Sequence, residues 1–201
     1  MSESAEALGA LVAAGPRAAA APAEYARLVA EIRQGYLLHY RPAQPASPAD
    51  LDLALLTGDH LYALGLERLG KLGDLESVVE LADLISLCAQ IHAGSENRAG
   101  RVLESEPRRA HTFSYVSEGR GRRARDATVC RSLSDALWLS TAVAVGVGPH
   151  ESHDAAKDAL REGAENALDL LWSSARSRAA AAGLAEPLEQ AAAQVGFRAR
   201  G

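Results

Sequence analysis

The chain has 201 residues, a formal net charge of −5, and 48% hydrophobic but only 4% aromatic residues. That length suits one domain with its own core, and the acidic balance argues against non-specific nucleic-acid binding by the chain as a whole. Much of the apolar share is alanine, the best helix former and a residue with little surface to bury, so the composition predicts a single all-α domain over residues 1–201, a helical bundle with close helix contacts.

Residues 4–14 are expected to form a short helix with Leu8, Leu11 and Val12 on one face, stopped by Gly15-Pro16. The alanine run that follows is low in complexity, and residues 1–21 read as a frayed end. Pro22 opens a second helix reaching about Tyr40, with Tyr25, Leu28, Val29, Ile32 and Tyr36 at helical spacing. Tyr36, His39, Tyr40 and Arg41 gather at its end. They read either as the rim of a polar pocket or as amphipathic side chains at the core margin, with a cation suited to a helix C-terminus. The segment from Pro42 to Pro45 reads as a hinge.

Ser47-Pro48-Ala49-Asp50 combines an N-cap residue, a proline at the first helical position and an acid near the positive helix end. The stripe of the helix it opens is Leu51, Ala54/Leu55, Gly58, Leu61/Tyr62, Gly65 and Leu69. Glycine costs about 1 kcal/mol in a helix interior, so Gly58 and Gly65 on one stripe predict another helix crossing very closely there. Gly70 and Gly73 flank a turn, and Asp74 caps the next helix, whose stripe is Leu75, Val78/Val79, Ala82, Ile85, Cys88/Ala89 and His92. Cys88 reads as a buried, inert thiol. Glu76, Glu80 and Asp83 read as a solvated acidic face.

Residues 95–131 are rich in arginine and poor in apolar periodicity, and read as a mobile, irregular insert between helices. Arg120, Arg122 and Arg123 at its centre read either as an anion site for phosphate, RNA or an acidic partner, or as a solvated loop balancing the acidic helices. Ser132 or Ser134 then starts a helix that is apolar almost all round and therefore central, broken by Gly146 to Pro149. One long helix is expected from about Ser152 to Ala181, a short one from Glu186 to Val195, and a frayed tail over 196–201. Trp138 and Trp172 are the largest core candidates.

Several chemistries lack their motifs. There is no Walker-type phosphate loop, dinucleotide glycine fingerprint, G-x-S-x-G, H-E-x-x-H or C-x-x-C. Cys88 and Cys130 have neither metal-ligand spacing nor a disulfide framework, which predicts a reducing compartment. His150 and His153 lie close in an expected loop without a supporting carboxylate or cysteine set, so no metal site is predicted. The N-terminal Met1-Ser2-Glu3-Ser4-Ala5-Glu6 is acidic where a secretory signal is basic. The longest apolar run, Ala136 to Gly148, is too short to span a bilayer. A cytoplasmic protein with no membrane span and no specific nucleic-acid partner is expected.

Leu55-Leu56-Thr57-Gly58-Asp59-His60-Leu61-Tyr62-Ala63-Leu64 resembles a helix of the trans-prenyl diphosphate synthases that reads roughly "LLAGDYLLA", and Leu75 to Ile85 is similar to the helix that follows it. The resemblance spans about fifty residues and rests mainly on the Gly58-Asp59 pair. It implies the isoprenoid synthase fold and makes Asp59 and Tyr62 candidate ligand-binding residues beside Arg120, Arg122 and Arg123. Active members hold magnesium on two D-D-x-x-D motifs, whose carboxylates neutralise a leaving diphosphate. Neither motif is present, and Asp50 and Asp52 belong to a helix start. The nearest analogue is therefore the small, non-catalytic subunit of heterodimeric polyprenyl synthases. That implies no catalytic residues, no cofactor (magnesium only in an active prenyltransferase), and pairing with a catalytic synthase subunit or with a second copy. The alternative is an unrelated helical binding or scaffold protein whose arginine-rich insert contacts an anionic partner.

Overall fold

The computed structural model describes residues 2–41, 48–104 and 113–198, with side chains except at 48 and 95–126. Among the described residues the architecture is all helical: α1 (Glu3–Ala13), α2 (Pro22–Tyr40), α3 (Pro48–Leu72), α4 (Leu75–Glu104), α5 (Phe113–Val147), α6 (Glu151–Arg161), α7 (Ala167–Ala181) and α8 (Ala185–Val195). A 3-10 turn at Pro16–Ala20 links α1 to α2. None of these helices is long and apolar enough to cross a membrane.

The C-terminal half of α5 is the centre. Every residue from 134 to 146 is buried, because its apolar and small side chains leave no face that prefers water. It meets α1, α4, α6, α7 and α8. Trp138 and Trp172 are both buried, as expected. On α2 the predicted stripe is the buried one, from Tyr25 through Tyr36. Asp74 caps α4 by accepting from the Ser77 amide at 3.1 Å, and satisfies one of the helix's unpaired donors.

Glycines set the closest helix crossings. A Cβ on Gly58 would lie 2.3 Å from the His39 ring, and one on Gly65 2.4 Å from Ile32, so α2 crosses α3 at the two positions where a close crossing was expected. Gly35 on α2 faces the carbonyl of Gly58 and completes this contact. The backbones of α1 and α2 are closer still: a Cβ on Gly9 would sit 2.3 Å from the carbonyl oxygen of Ala26.

Several expectations change. The N-terminal segment, read as frayed, is core: Ala5, Leu8, Leu11, Val12 and Ala18 are buried. The stretch 95–131, read as an irregular insert, is helical over 95–104 in α4 and 113–131 in α5, while residues 105–112 lie outside the described residues. The single helix expected from Ser152 to Ala181 is two. Gly163 takes φ +71°, its amide and that of Ala164 bond back to Leu160 and Ala159, and the chain turns so that α6 and α7 pack on each other. Phe197, assigned to a frayed tail, is buried with its ring 4.9 Å from that of Trp172. On α4 the buried face runs through Ser77, Leu81, Leu84 and Leu87/Cys88, and Val79, Ala82 and Ala89 are exposed.

Two substitutions test this packing. Gly9→Ala puts a methyl against an unyielding carbonyl and is expected to cost about 2–3 kcal/mol. Gly70→Ala, with nothing within 4 Å of its Cβ, is expected to be neutral or to stabilise by up to about 1 kcal/mol. Urea unfolding of both variants checks the contrast.

Candidate functional site

Asp59 and Tyr62 stand on the α3 face that meets the end of α2. The Asp59 side chain is 68% exposed, and its Oδ1 lies 3.2 Å from His39 Nε2. The two are close enough to pair electrostatically, but they lack the alignment of a hydrogen bond. His39 stacks on Tyr62, with centroids 5.2 Å apart. Burial, reinforced by the neighbouring Cys88, Tyr40, Tyr36 and Asp59 side chains, holds the Tyr62 phenol well above its ordinary value, so it stays protonated. Helix α5 includes positions 120, 122 and 123, but the side chains of Arg120, Arg122 and Arg123 lie outside the described residues. No group of three His, Cys, Asp or Glu side chains among the described residues is placed to hold a metal ion.

A polar cluster that the sequence only half suggested lies behind this face. Arg33, fully buried on α2, donates from Nη2 to Asp135 on α5 at 3.0 Å. Arg41 donates to both carboxylate oxygens of the same residue, at 3.0 Å each. Arg33 also lies over the rings of Tyr36 and Trp138, at 4.7 and 5.0 Å. Burial lowers the Arg33 pKa against the pull of Asp135. For Arg41 burial also pulls down, but Asp135 and Tyr36 outweigh it and the net shift is upward. The gathering at Tyr36, Tyr40 and Arg41 is therefore a buried ion-pair centre as much as a rim. Arg33 and Asp135 were missed because a charge on an apolar stripe carries no sign of its partner 102 positions away.

The cluster continues to α4. Tyr36 Oη lies 3.1 Å from His92 Nε2. The ring of Tyr40 is parallel to that of His92 within 9°, with centroids 4.0 Å apart. On its other side His92 Nδ1 is 3.4 Å from the Cys130 sulfur. Burial first, then the positive charge of Arg41, lowers the His92 pKa. Cys130 also lines a cavity of about 570 Å³ between α4, α5, α6 and α7, walled by Leu87, Ile91, Leu133, Leu160 and Leu168.

A second network ties α4 to α5 and α6. Glu80 Oε2 accepts from Lys157 Nζ at 3.0 Å and lies 3.1 Å from His153 Nε2, and His153 Nδ1 is 2.8 Å from Ser140 Oγ. Asp83 pairs with Lys157 and Arg161, and Glu76 with Arg17. Of the three acids read as a solvated face, Glu76 is exposed, while Asp83 is half-buried and Glu80 buried in ion pairs. Lys157 compensates the Glu80 charge, and Leu81 and Leu84 on the same helix are buried in the core. His153 lies in α6, fully buried, while His150 caps that helix at the surface, so the two do not form a shared site. Ser140, His153 and Glu80 are the residue types of a hydrolytic triad. Ser140 is fully buried, however, and lines no part of the α4–α7 cavity, so the array is a structural tie.

No protein-family model, curated protein or solved structure matches the chain.

The two networks make distinct predictions. Asp135→Asn leaves Arg33 buried without a counter-charge and is expected to cost about 3–5 kcal/mol in chemical denaturation. Burial alone would raise the Glu80 pKa, but His153 and Lys157 reverse this and hold it at about 2, against 4.5 for a free glutamate. A depressed folded value means that the stabilisation is complete above the free value and is lost as pH falls toward 2. Glu80→Gln is therefore expected to destabilise by about 2–4 kcal/mol at neutral pH. The gap to the parent should close between pH 4.5 and 2, read as urea midpoints across that range.

Proposed function

We propose that the chain is a catalytically silent helical subunit that works by pairing with a second protein through α3. The observation that carries this reading is a pair of leucines one turn apart, Leu53 and Leu56, which are 64% and 68% exposed. Covering such side chains returns about 25 cal/mol for each Å² of apolar surface removed from water. Leu72, Leu75 and Val79 form a separate exposed apolar group at the far end of α3 and the start of α4. The face expected at Leu61, Leu64 and Val78 is half-buried, with Val78 packed on the core, so the contact moves to the first turns of α3.

The resemblance of Leu55 to Leu64 to a prenyl diphosphate synthase helix supplies the kind of partner: a catalytic polyprenyl synthase that carries its own D-D-x-x-D motifs. The pairing of exposed Asp59 with His39 supports the silent half of the reading. Prenyl transfer needs several carboxylates converging on magnesium. In the complex, this chain would buttress the partner's product tunnel and the partner would supply the chemistry.

The test is co-purification with a D-D-x-x-D-bearing synthase. The double change Leu53→Glu and Leu56→Glu is expected to weaken the complex at least about tenfold, equivalent to roughly 1.4 kcal/mol, and to leave the melting temperature of the free chain unchanged. Undiminished binding by the double variant would remove α3 as the contact. Turnover of isoprenoid diphosphates by the isolated chain with Mg²⁺ would end the silent-subunit reading.

A further inference from the structure

We propose that Cys130 is an acyl-acceptor thiol, with His92 as its base and the cavity between α4, α5, α6 and α7 as the pocket for the alkyl chain of an acyl thioester. The inference is independent of pairing through α3, since none of its residues lies on that face.

Three observations converge on it. The Cys130 sulfur is 3.4 Å from His92 Nδ1, within reach for proton transfer. His92 is held from two further sides, by the Tyr36 hydroxyl at 3.1 Å and by the parallel ring of Tyr40. A base oriented by a third group is the arrangement that activates a weak nucleophile. The thiol also borders a space of ligand size: the cavity is about 570 Å³, with Leu87, Ile91, Leu133, Leu160 and Leu168 along one part of its wall and Gln90, Arg161, Glu165 and Asp169 along another, inside the range of small-molecule pockets.

The protonation states fit. With its pKa lowered, His92 is neutral at pH 7, the form whose Nδ1 accepts a proton. Neutral imidazole accepts at Nδ1 only when Nε2 carries the hydrogen, and the Tyr36 oxygen is placed to receive that hydrogen. Cys88 is the internal contrast. Both thiols are buried, but Cys88 lines no part of the cavity, and burial pushes it up to about 12.

The step balances without a redox partner. Cys130 Sγ attacks the thioester carbonyl carbon as its proton passes to His92 Nδ1. The bond between that carbon and the donor sulfur then breaks, and the departing thiolate takes the proton back from His92. The products are S-acyl Cys130 and the free donor thiol. The leucine and isoleucine side chains of the wall take up the alkyl chain.

The test incubates the full chain with octanoyl-coenzyme A and reads intact mass and peptide mass. One hydroxylamine-labile octanoyl adduct is expected at Cys130, absent from Cys130→Ser and unaffected by Cys88→Ala. His92→Phe keeps the stack on Tyr40 but removes the base, and should slow acylation at least tenfold. Ala164→Trp, which fills the cavity from its wall, should block acylation while iodoacetamide still labels Cys130. No adduct, an equal adduct at Cys88, or acylation of His92→Phe at the parent rate would each overturn the proposal. Should a variant fail to fold, the choice between Cys130 and Cys88 in the unmodified chain decides.

Discussion

The carboxylate of Asp135 is the constraint on which the rest of the centre depends. It sits on the buried half of α5 and holds two guanidinium groups from the C-terminal part of α2. A buried ion pair is seldom a large net gain against apolar packing. Its effect here is on register: Asp135 can be satisfied only when α2 lies at one height and one rotation against α5. With α2 fixed, Arg33 covers the Tyr36 and Trp138 rings, and Tyr36 and Tyr40 reach His92. A displacement of α2 by one residue would unpair a buried charge and release the imidazole together. The polar centre is thus a single mechanical unit spanning α2, α4 and α5.

Local signals on the chain account for much of this architecture. The end of α2 at Tyr40, the cap at Asp74 and the close crossing at Gly58 and Gly65 each follow from one or a few neighbouring residues, because capping and small-residue contacts are decided locally. The burial of α5 follows equally from its lack of any polar face. What was not legible depends on partners distant in sequence. Glu80 looks like a surface acid until Lys157 and His153 arrive from α6. Arg33 looks out of place on its stripe until Asp135 arrives from α5. Cys130 and His92 are 38 positions apart and share no motif. Of the residues singled out from sequence, Asp59 and Tyr62 are brought together with His39, and none of the three lines the cavity beside Cys130.

The two networks divide the labour of holding α4. Near its start, Asp74 and Glu76 reach Arg17, and Glu80 and Asp83 reach α6. Further along, His92 is gripped by α2. Between them lie Leu84, Leu87 and Cys88, buried against the core. Ion pairs hold the helix at one end of this apolar span, and a hydrogen-bonded, stacked imidazole holds it at the other, with a cavity along one wall between them.

Helix α1 packs not only on α2 but also on α8 and α5. Leu8, Leu11 and Val12 therefore complete their burial against segments synthesised more than a hundred residues later. On the ribosome α1 can dock on α2 early, yet its outer apolar face stays open until α8 emerges. The domain thus closes only once α8 is available, and until then the face of α1 that α8 covers stays open to other apolar surfaces.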